Sequence, residues 1–167
     1  STGGTVYGVT EEPLVAETAA VTPICSYAIV KLAIEKYLHM YNKLYGMEYI
    51  ALRVANPYGE RQGHLGVQGV IGTFMNHLHG GRNIEIWGDG SVERDYVYVA
   101  DVARACQLAV DSDAHGIFNI GSGKGFSLNE IVNKLESVTG IPTSPRYKPG
   151  RAYDVARIVL DCTKARD

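Results

Sequence analysis

Apolar and polar positions along this chain switch repeatedly between a spacing of three to four and short continuous runs. From Pro23 to Gly46, apolar residues recur at Ile29, Leu32, Ala33, Tyr37, Leu38, Tyr41, Leu44 and Tyr45. That is the spacing of one helical face, and it predicts a buried helix over 26–45. Pro23 suits an extended lead-in, Ser26 is placed to cap, and Gly46 to terminate. "MEYIALRVANPYG" predicts a strand at about 48–55, closed by a turn at Asn56, Pro57 and Gly59. "GVQGVIGTFMNHLHGG" predicts a helix over 67–79. "NIEIWGDGSVERDYVYV" reads as two strands of a hairpin around Gly88-Asp89-Gly90-Ser91. "VADVARACQLAVDS" is an amphipathic helix with Asp101 as its cap, and "GIFNIGSG" another buried strand. Ser127 and Glu130 have capping-box spacing ahead of "LNEIVNKLESVTG". "RIVLDCTKARD" adds a short strand and a helix start.

Helices between short apolar strands imply an α/β fold with a parallel sheet and crossovers. The irregular stretches 8–25 and 140–156 are long for connections, and loops of that length are more often functional than idle. Bulk properties narrow the picture further. Of 167 residues, 46% are hydrophobic and 20% charged, so the composition is that of a globular protein. The formal net charge of -2 without like-charge blocks gives nucleic acid no footprint. No apolar run reaches the ~18 residues of a membrane span, so no membrane partner is expected. Cys25, Cys106 and Cys162 are far apart and odd in number, which reads as reduced thiols in a cytoplasmic protein. The chain opens on "STGGTVYG" without Met, as a buried strand running into a loop, and is expected to be part of a longer polypeptide.

The chemistry begins with Tyr27 and Lys31, which a helix sets side by side. A free phenol is a poor base at neutral pH, and a neighbouring ammonium favours the phenolate. That makes a proton shuttle for a sugar hydroxyl during hydride transfer. The spacing alone is weak in a chain with eleven tyrosines, where an exposed helix pair is the ordinary reading. His77 and His79 lack an acid or Cys at ligand spacing, so no metal is expected.

Four linked motifs decide the context. "STGGTVYG", Ser26-Tyr27-x-x-x-Lys31 after Pro23, "LRVANPYGERQ" and "GDGSVERDYVYVADVA" resemble the extended short-chain dehydrogenase/reductases. Within them the chain is most similar to NAD-dependent nucleotide-sugar epimerases of the UDP-glucose 4-epimerase kind. The resemblance implies the C-terminal part of a Rossmann-like doubly wound parallel sheet plus a smaller α/β substrate-binding domain. Residues 1–60 would be what remains of the dinucleotide-binding domain, and 61–167 mostly the nucleotide-sugar domain, with 98–123 returning to the Rossmann sheet. The family's opening half is absent: no G-x-x-G-x-x-G follows a strand.

The resemblance also implies roles. Tyr27 is the acid/base, and Lys31 holds the nicotinamide ribose; Val54 falls on the cofactor side. Ala28 and Val30 replace the usual Gly and Ser inside the pair. The family hydroxyl four residues before the Tyr of "VYG" falls on Gly3, so Thr2 and Thr5 become the candidate catalytic hydroxyls. Related dehydratases carry Glu where Thr5 stands, and Thr5 therefore favours epimerisation at C4 of a UDP-sugar, through a 4-keto intermediate. Asn56 and Arg94 match substrate-holding positions, and Arg151 and Asp154 reproduce an R-x-x-D that holds phosphate and ribose. Arg suits phosphate because its planar fork donates in pairs. Glu85 and Trp87 would border the uracil, although Trp87 also reads as hairpin packing. Ile158, four residues past Asp154, would gate the sugar's C2 substituent, so that both glucose- and N-acetylglucosamine-type sugars fit. A homodimer is the family expectation. A dehydratase or reductase, or a non-catalytic nucleotide-sugar-binding fragment, are the competing readings.

Overall fold

The computed structural model describes residues 1–62, 69–150 and 155–167. In chain order these form α1 (Ser26–Tyr45), β1 (Ile50–Val54), β2 (Asn56–Tyr58), α2 (Val70–His79), β3 (Glu85–Trp87), β4 (Glu93–Tyr98) and α3 (Val99–Asp111). There follow β5 (Gly116–Ile120), β6 (Gly125–Ser127), α4 (Leu128–Thr139), β7 (Arg146–Lys148), β8 (Arg157–Ile158) and α5 (Thr163–Arg166). β1 and β5 pair in parallel, from Ile50 opposite Gly116 to Val54 opposite Ile120. Thr2 bridges Val54 in parallel, and the Gly3 amide donates to the Val54 carbonyl at 2.7 Å. The opening "STGGTVYG" is thus a strand end that turns at once into a loop. β4 pairs in parallel with β2 and β8, and antiparallel with β6. The fold is α/β, with mostly parallel pairings.

Two apolar cores form. One gathers Val6, Tyr7, Val15, Ala55, Val97, Ile158 and Leu160; the other Phe74, Leu78, Ile84, Ile86, Tyr96, Ile131 and Val132. Consecutive residues of a strand face opposite ways, so β4 supplies Tyr96 to one core and Val97 to the other. The preceding residue, Asp95, is fully buried. Its carboxylate accepts from the Ser122 amide and hydroxyl at 2.8 Å, the Gly123 amide at 3.1 Å and the Leu160 amide at 3.3 Å. A buried charge needs such donors, and here they knit β4 to the loop after β5 and to the segment after β8.

Several expectations are corrected. The apolar residues of α1 are not a buried stripe: only Ala28 and Glu35 are buried, while Tyr27, Ile29, Ile34, Tyr37, Tyr41, Leu44 and Tyr45 are exposed. Ser26 is the first helical residue, after an N-cap Cys25 whose side chain makes no cap bond. Asp101 likewise lies inside the first turn of α3, after Tyr98. There its charge still favours the helix N-terminus. Asn56 opens β2 instead of closing a turn. Residues 67 and 68 of the expected second helix lie outside the described residues, and α2 begins at Val70.

The expected hairpin does not form. β3 pairs in parallel with β7, and β4 pairs elsewhere. The Gly88 amide donates to the Lys148 carbonyl, and Asn129 at the start of α4 donates to the carbonyls of Gly90 and Asp89. The turn is held by α4 and β7 and not by its own flanking strands. The Ser127–Glu130 capping box is present in both directions.

Candidate active site

A cavity of about 550 Å³ opens between the two cores, with Ala55 of one and Phe74 and Tyr96 of the other in its wall. It lies beyond the C-terminal end of β1, where open α/β sheets hold their ligands. Thr2, Thr5, Tyr27, Asn56, Glu85, Trp87 and Arg94 all line it.

The reactive wall comes from α1 and the opening loop. Tyr27 is 54% exposed, and the Lys31 ammonium lies 5.5 Å from its ring centroid. One helical turn sets that pair, so an isolated α1 would make it too. The same cavity receives two hydroxyls, Thr2 Oγ1 and Thr5 Oγ1, 3.2 Å apart and hydrogen-bonded to each other. Thr2 is nearly buried, whereas Thr5 is partly open. Gly3 between them has no space for a side chain: a Cβ would stand 2.7 Å from the Arg53 carbonyl oxygen and 2.4 Å from Leu160 Cδ1. The chain therefore offers its hydroxyls on either side of the position where the family resemblance places one.

The second wall is polar and aromatic. Asn56 Nδ2 donates to the Asp95 carbonyl at 2.9 Å, which fixes the amide plane at the cavity. Arg94 Nη1 donates to the Glu93 carbonyl at 2.8 Å. Tyr96 is 7% exposed, and burial pushes its phenol up to about 12, so it stays protonated. At the rim, Lys148 Nζ donates to Glu85 at 2.7 Å and lies 5.3 Å from the Trp87 ring centroid. That hydrogen bond holds the Glu85 carboxyl below its ordinary range. Trp87 itself is 41% exposed.

Three expected site residues do not reach this wall. Lys31 lies beside the Tyr27 ring but does not line the cavity. Val54 packs against the first core. Ile158 is 1% exposed inside that core and stands outside the wall where it was expected. Arg151 and Asp154 lie outside the described residues. Gln62 and Tyr96 line the cavity unforeseen by sequence reasoning, although both sit within the motifs "ERQ" and "RDYVY". His77 Nδ1 lies 3.1 Å from the Asn83 carbonyl, and among the described residues no three metal-ligating side chains cluster. Among them, too, no helix is long and apolar enough to cross a membrane.

Residues 1–121 match the NAD dependent epimerase/dehydratase family. The chain belongs to that family. The UDP-glucose 4-epimerase of Mycolicibacterium smegmatis is 39% identical over 168 residues, covering 100% of this chain and 54% of that protein. The crystal structure of UDP-glucose 4-epimerase with UDP-glucose from Thermotoga maritima superposes with a TM-score of 0.96 at 42% identity, over 99% of this chain and 54% of that one. The Thermus thermophilus UDP-glucose 4-epimerase in complex with NAD gives a TM-score of 0.93 at 36% identity, over 99% and 55%. The chain spans about half the length of the relatives it matches.

Family membership makes NAD the cofactor, and the residues present fit one end of it. Tyr27 and Lys31 present a phenol and an ammonium at one exposed helix face, which suits a ribose hydroxyl pair. The pyrophosphate has no glycine-rich strand–helix turn within this sequence to receive it.

Proposed function

We propose that this chain is the substrate-binding and proton-transferring part of a UDP-sugar 4-epimerase. The observation that carries the reading is the convergence, on one cavity, of Tyr27 with the Thr2 and Thr5 hydroxyls on one side and Asn56 and Arg94 on the other. A nucleotide sugar needs both halves: an acid/base at a sugar hydroxyl and polar side chains at a diphosphate. Asn56, Arg94, Glu85 and Trp87 hold the nucleotide in this reading, joined by Arg151 and Asp154. NAD, when bound, supplies the hydride acceptor and donor. Tyr27 takes the proton of the C4 hydroxyl and returns it after the 4-keto sugar has turned over. Lys31 stabilises the phenolate and orients ribose, and Thr5, the more open of the two hydroxyls, steadies the sugar oxygen with Thr2 behind it.

Thr5 also separates epimerisation from dehydration. Loss of a C6 hydroxyl needs a carboxylate to move the C5 proton, and a threonine hydroxyl is too weak a base for that. The substrate is of the UDP-glucose or UDP-N-acetylglucosamine type. The working form is a cytoplasmic homodimer, with the exposed apolar face of α1 as its contact.

The test is proton NMR of UDP-galactose incubated with NAD and with the protein that carries this chain. Appearance of UDP-glucose, with no net NADH and no 4-keto-6-deoxy product, supports the reading. Accumulated NADH indicates a reductase-type half-reaction, and a 6-deoxy product a dehydratase. UDP binding by calorimetry with no turnover leaves a nucleotide-sugar-binding module, and no binding at all overturns every form of the proposal.

A further inference from the structure

Beneath the cavity, and outside its wall, runs a buried polar chain that the proposed chemistry does not use. Arg53 on β1 and Glu35 on α1 are each 3% exposed. Arg53 Nε donates to Glu35 Oε1 at 3.1 Å and Nη2 to Oε2 at 2.7 Å, a fork on both carboxylate oxygens. The third nitrogen, Nη1, donates to the Tyr7 hydroxyl at 2.9 Å, and the guanidinium carbon lies 4.9 Å from the Tyr7 ring centroid. Tyr7 in turn donates to Asn119 Oδ1 at 2.7 Å. Asn119 Nδ2 closes the chain on the carbonyls of Val15 and Asp161.

What this chain connects is telling. Tyr27, Lys31 and Glu35 succeed one another every fourth residue on one face of α1. Glu35 lies about 12 Å along the axis from Tyr27. The N-terminal end of the helix is open to the cavity, and the same face is clamped at mid-helix by Glu35. Glu35 is also one of only two buried side chains on the 20-residue α1, the other being Ala28. Tyr7 lies two residues past Thr5, at the foot of the loop that presents both hydroxyls. Arg53 therefore bonds both to the helix that carries Tyr27 and to the residue at the foot of the hydroxyl-bearing loop.

We propose that Arg53 is a positioning residue: through Glu35 it sets the height and rotation of the helix that carries Tyr27 and Lys31, and through Tyr7 it sets the loop that carries Thr2 and Thr5. The proposal rests on the reading of that wall as the proton-transferring site. Only a planar fork reaches a carboxylate in two bonds and a phenol in a third, and a lysine could not. Stability alone does not require the arrangement, because a buried ion pair is often replaced by apolar residues of similar volume without loss. Geometry is what such a swap would forfeit.

The experiment is the double variant Arg53→Met with Glu35→Leu, beside Arg53→Lys. Three quantities are read: thermal stability, hydrogen exchange of the amides of residues 26–35 and 2–8, and turnover of UDP-galactose. The expected result for the double variant is a melting temperature within a few degrees of the parent. Exchange in both segments rises at least tenfold while α4 is unchanged, and kcat falls at least tenfold with KM within twofold. Arg53→Lys shows the same kcat loss with its charge retained. Parental exchange and kcat in a stable double variant overturn the proposal, as does a tenfold rise in KM with kcat intact. If the parent shows no turnover, the epimerase reading fails on its own, and exchange in the two segments still decides whether Arg53 couples them. If the double variant is unfolded, Tyr7→Phe makes the decision: it leaves the ion pair whole, and must raise exchange in 2–8 and lower kcat or the proposal is wrong.

Discussion

At Gly3 the absence of a side chain is forced by its neighbours, and a prediction follows from the two short distances there. A serine would press its Cβ on the Arg53 carbonyl, which is backbone and cannot swing away. Gly3→Ser should therefore not restore a hydroxyl in the family position. It should instead destabilise by about 1–3 kcal/mol, the usual cost of overpacking, read as a lower urea midpoint, with slower turnover. An active, equally stable Gly3→Ser would refute the crowding argument. Tyr27 is the contrasting case, exposed and making no packing demand. Tyr27→Phe should lower kcat about 10²–10⁴-fold, the range of general acid–base catalysis, while UDP affinity measured by calorimetry stays within twofold. A parallel loss of UDP affinity would move Tyr27 from the proton to the nucleotide. The pair Tyr27–Lys31 could be read from sequence because a helix alone creates it. The burial of Ile158 could not, since counting four residues from Asp154 says nothing of which way a strand turns its side chains.

Elements were legible where one local pattern suffices. α1 runs over Ser26–Tyr45 as its periodicity predicts, and α4 starts at the Ser127–Glu130 box. They were illegible where a partner distant in sequence wins. "GDGS" carries every local sign of a hairpin, yet Asn129, forty residues on from Asp89, holds the turn against α4. The same amide accepts from the Tyr147 hydroxyl at 3.0 Å, joining β7 to the arrangement. Asn129 therefore sets where β3 presents Glu85 and Trp87 to the cavity. Asn129→Ala should cost about 1–3 kcal/mol for its two lost side-chain hydrogen bonds. It should also weaken UDP binding several-fold in calorimetry, with kcat unchanged at saturating sugar. Unchanged UDP affinity would show that the rim strand keeps its place without Asn129.

Across the whole molecule, the four motifs revealed the family and most of the cavity wall, because each keeps its residues within a few positions of one another. Arg53 and Glu35 escaped notice for the opposite reason. Arg53 is one polar residue inside an apolar run and Glu35 one of several charges along α1; they stand eighteen residues apart, and only the folded chain brings them together. That pairing makes acid stability a property of the entire fold. Burial by itself would raise the Glu35 carboxyl, but the Arg53 hydrogen bonds and charge outweigh burial and hold it below the ordinary value. A group depressed on folding stabilises the native state fully above its unfolded value, near ~4.3, and loses that contribution as pH falls through the folded value. Stability should therefore decline more steeply below about pH 4.3 in the parent than in the Arg53→Met, Glu35→Leu double variant. Urea midpoints between pH 6 and pH 3 measure the difference, and the two curves should converge toward the acid end. Parallel curves would mean that Glu35 keeps its proton affinity on folding, and that the acid sensitivity of the fold lies elsewhere.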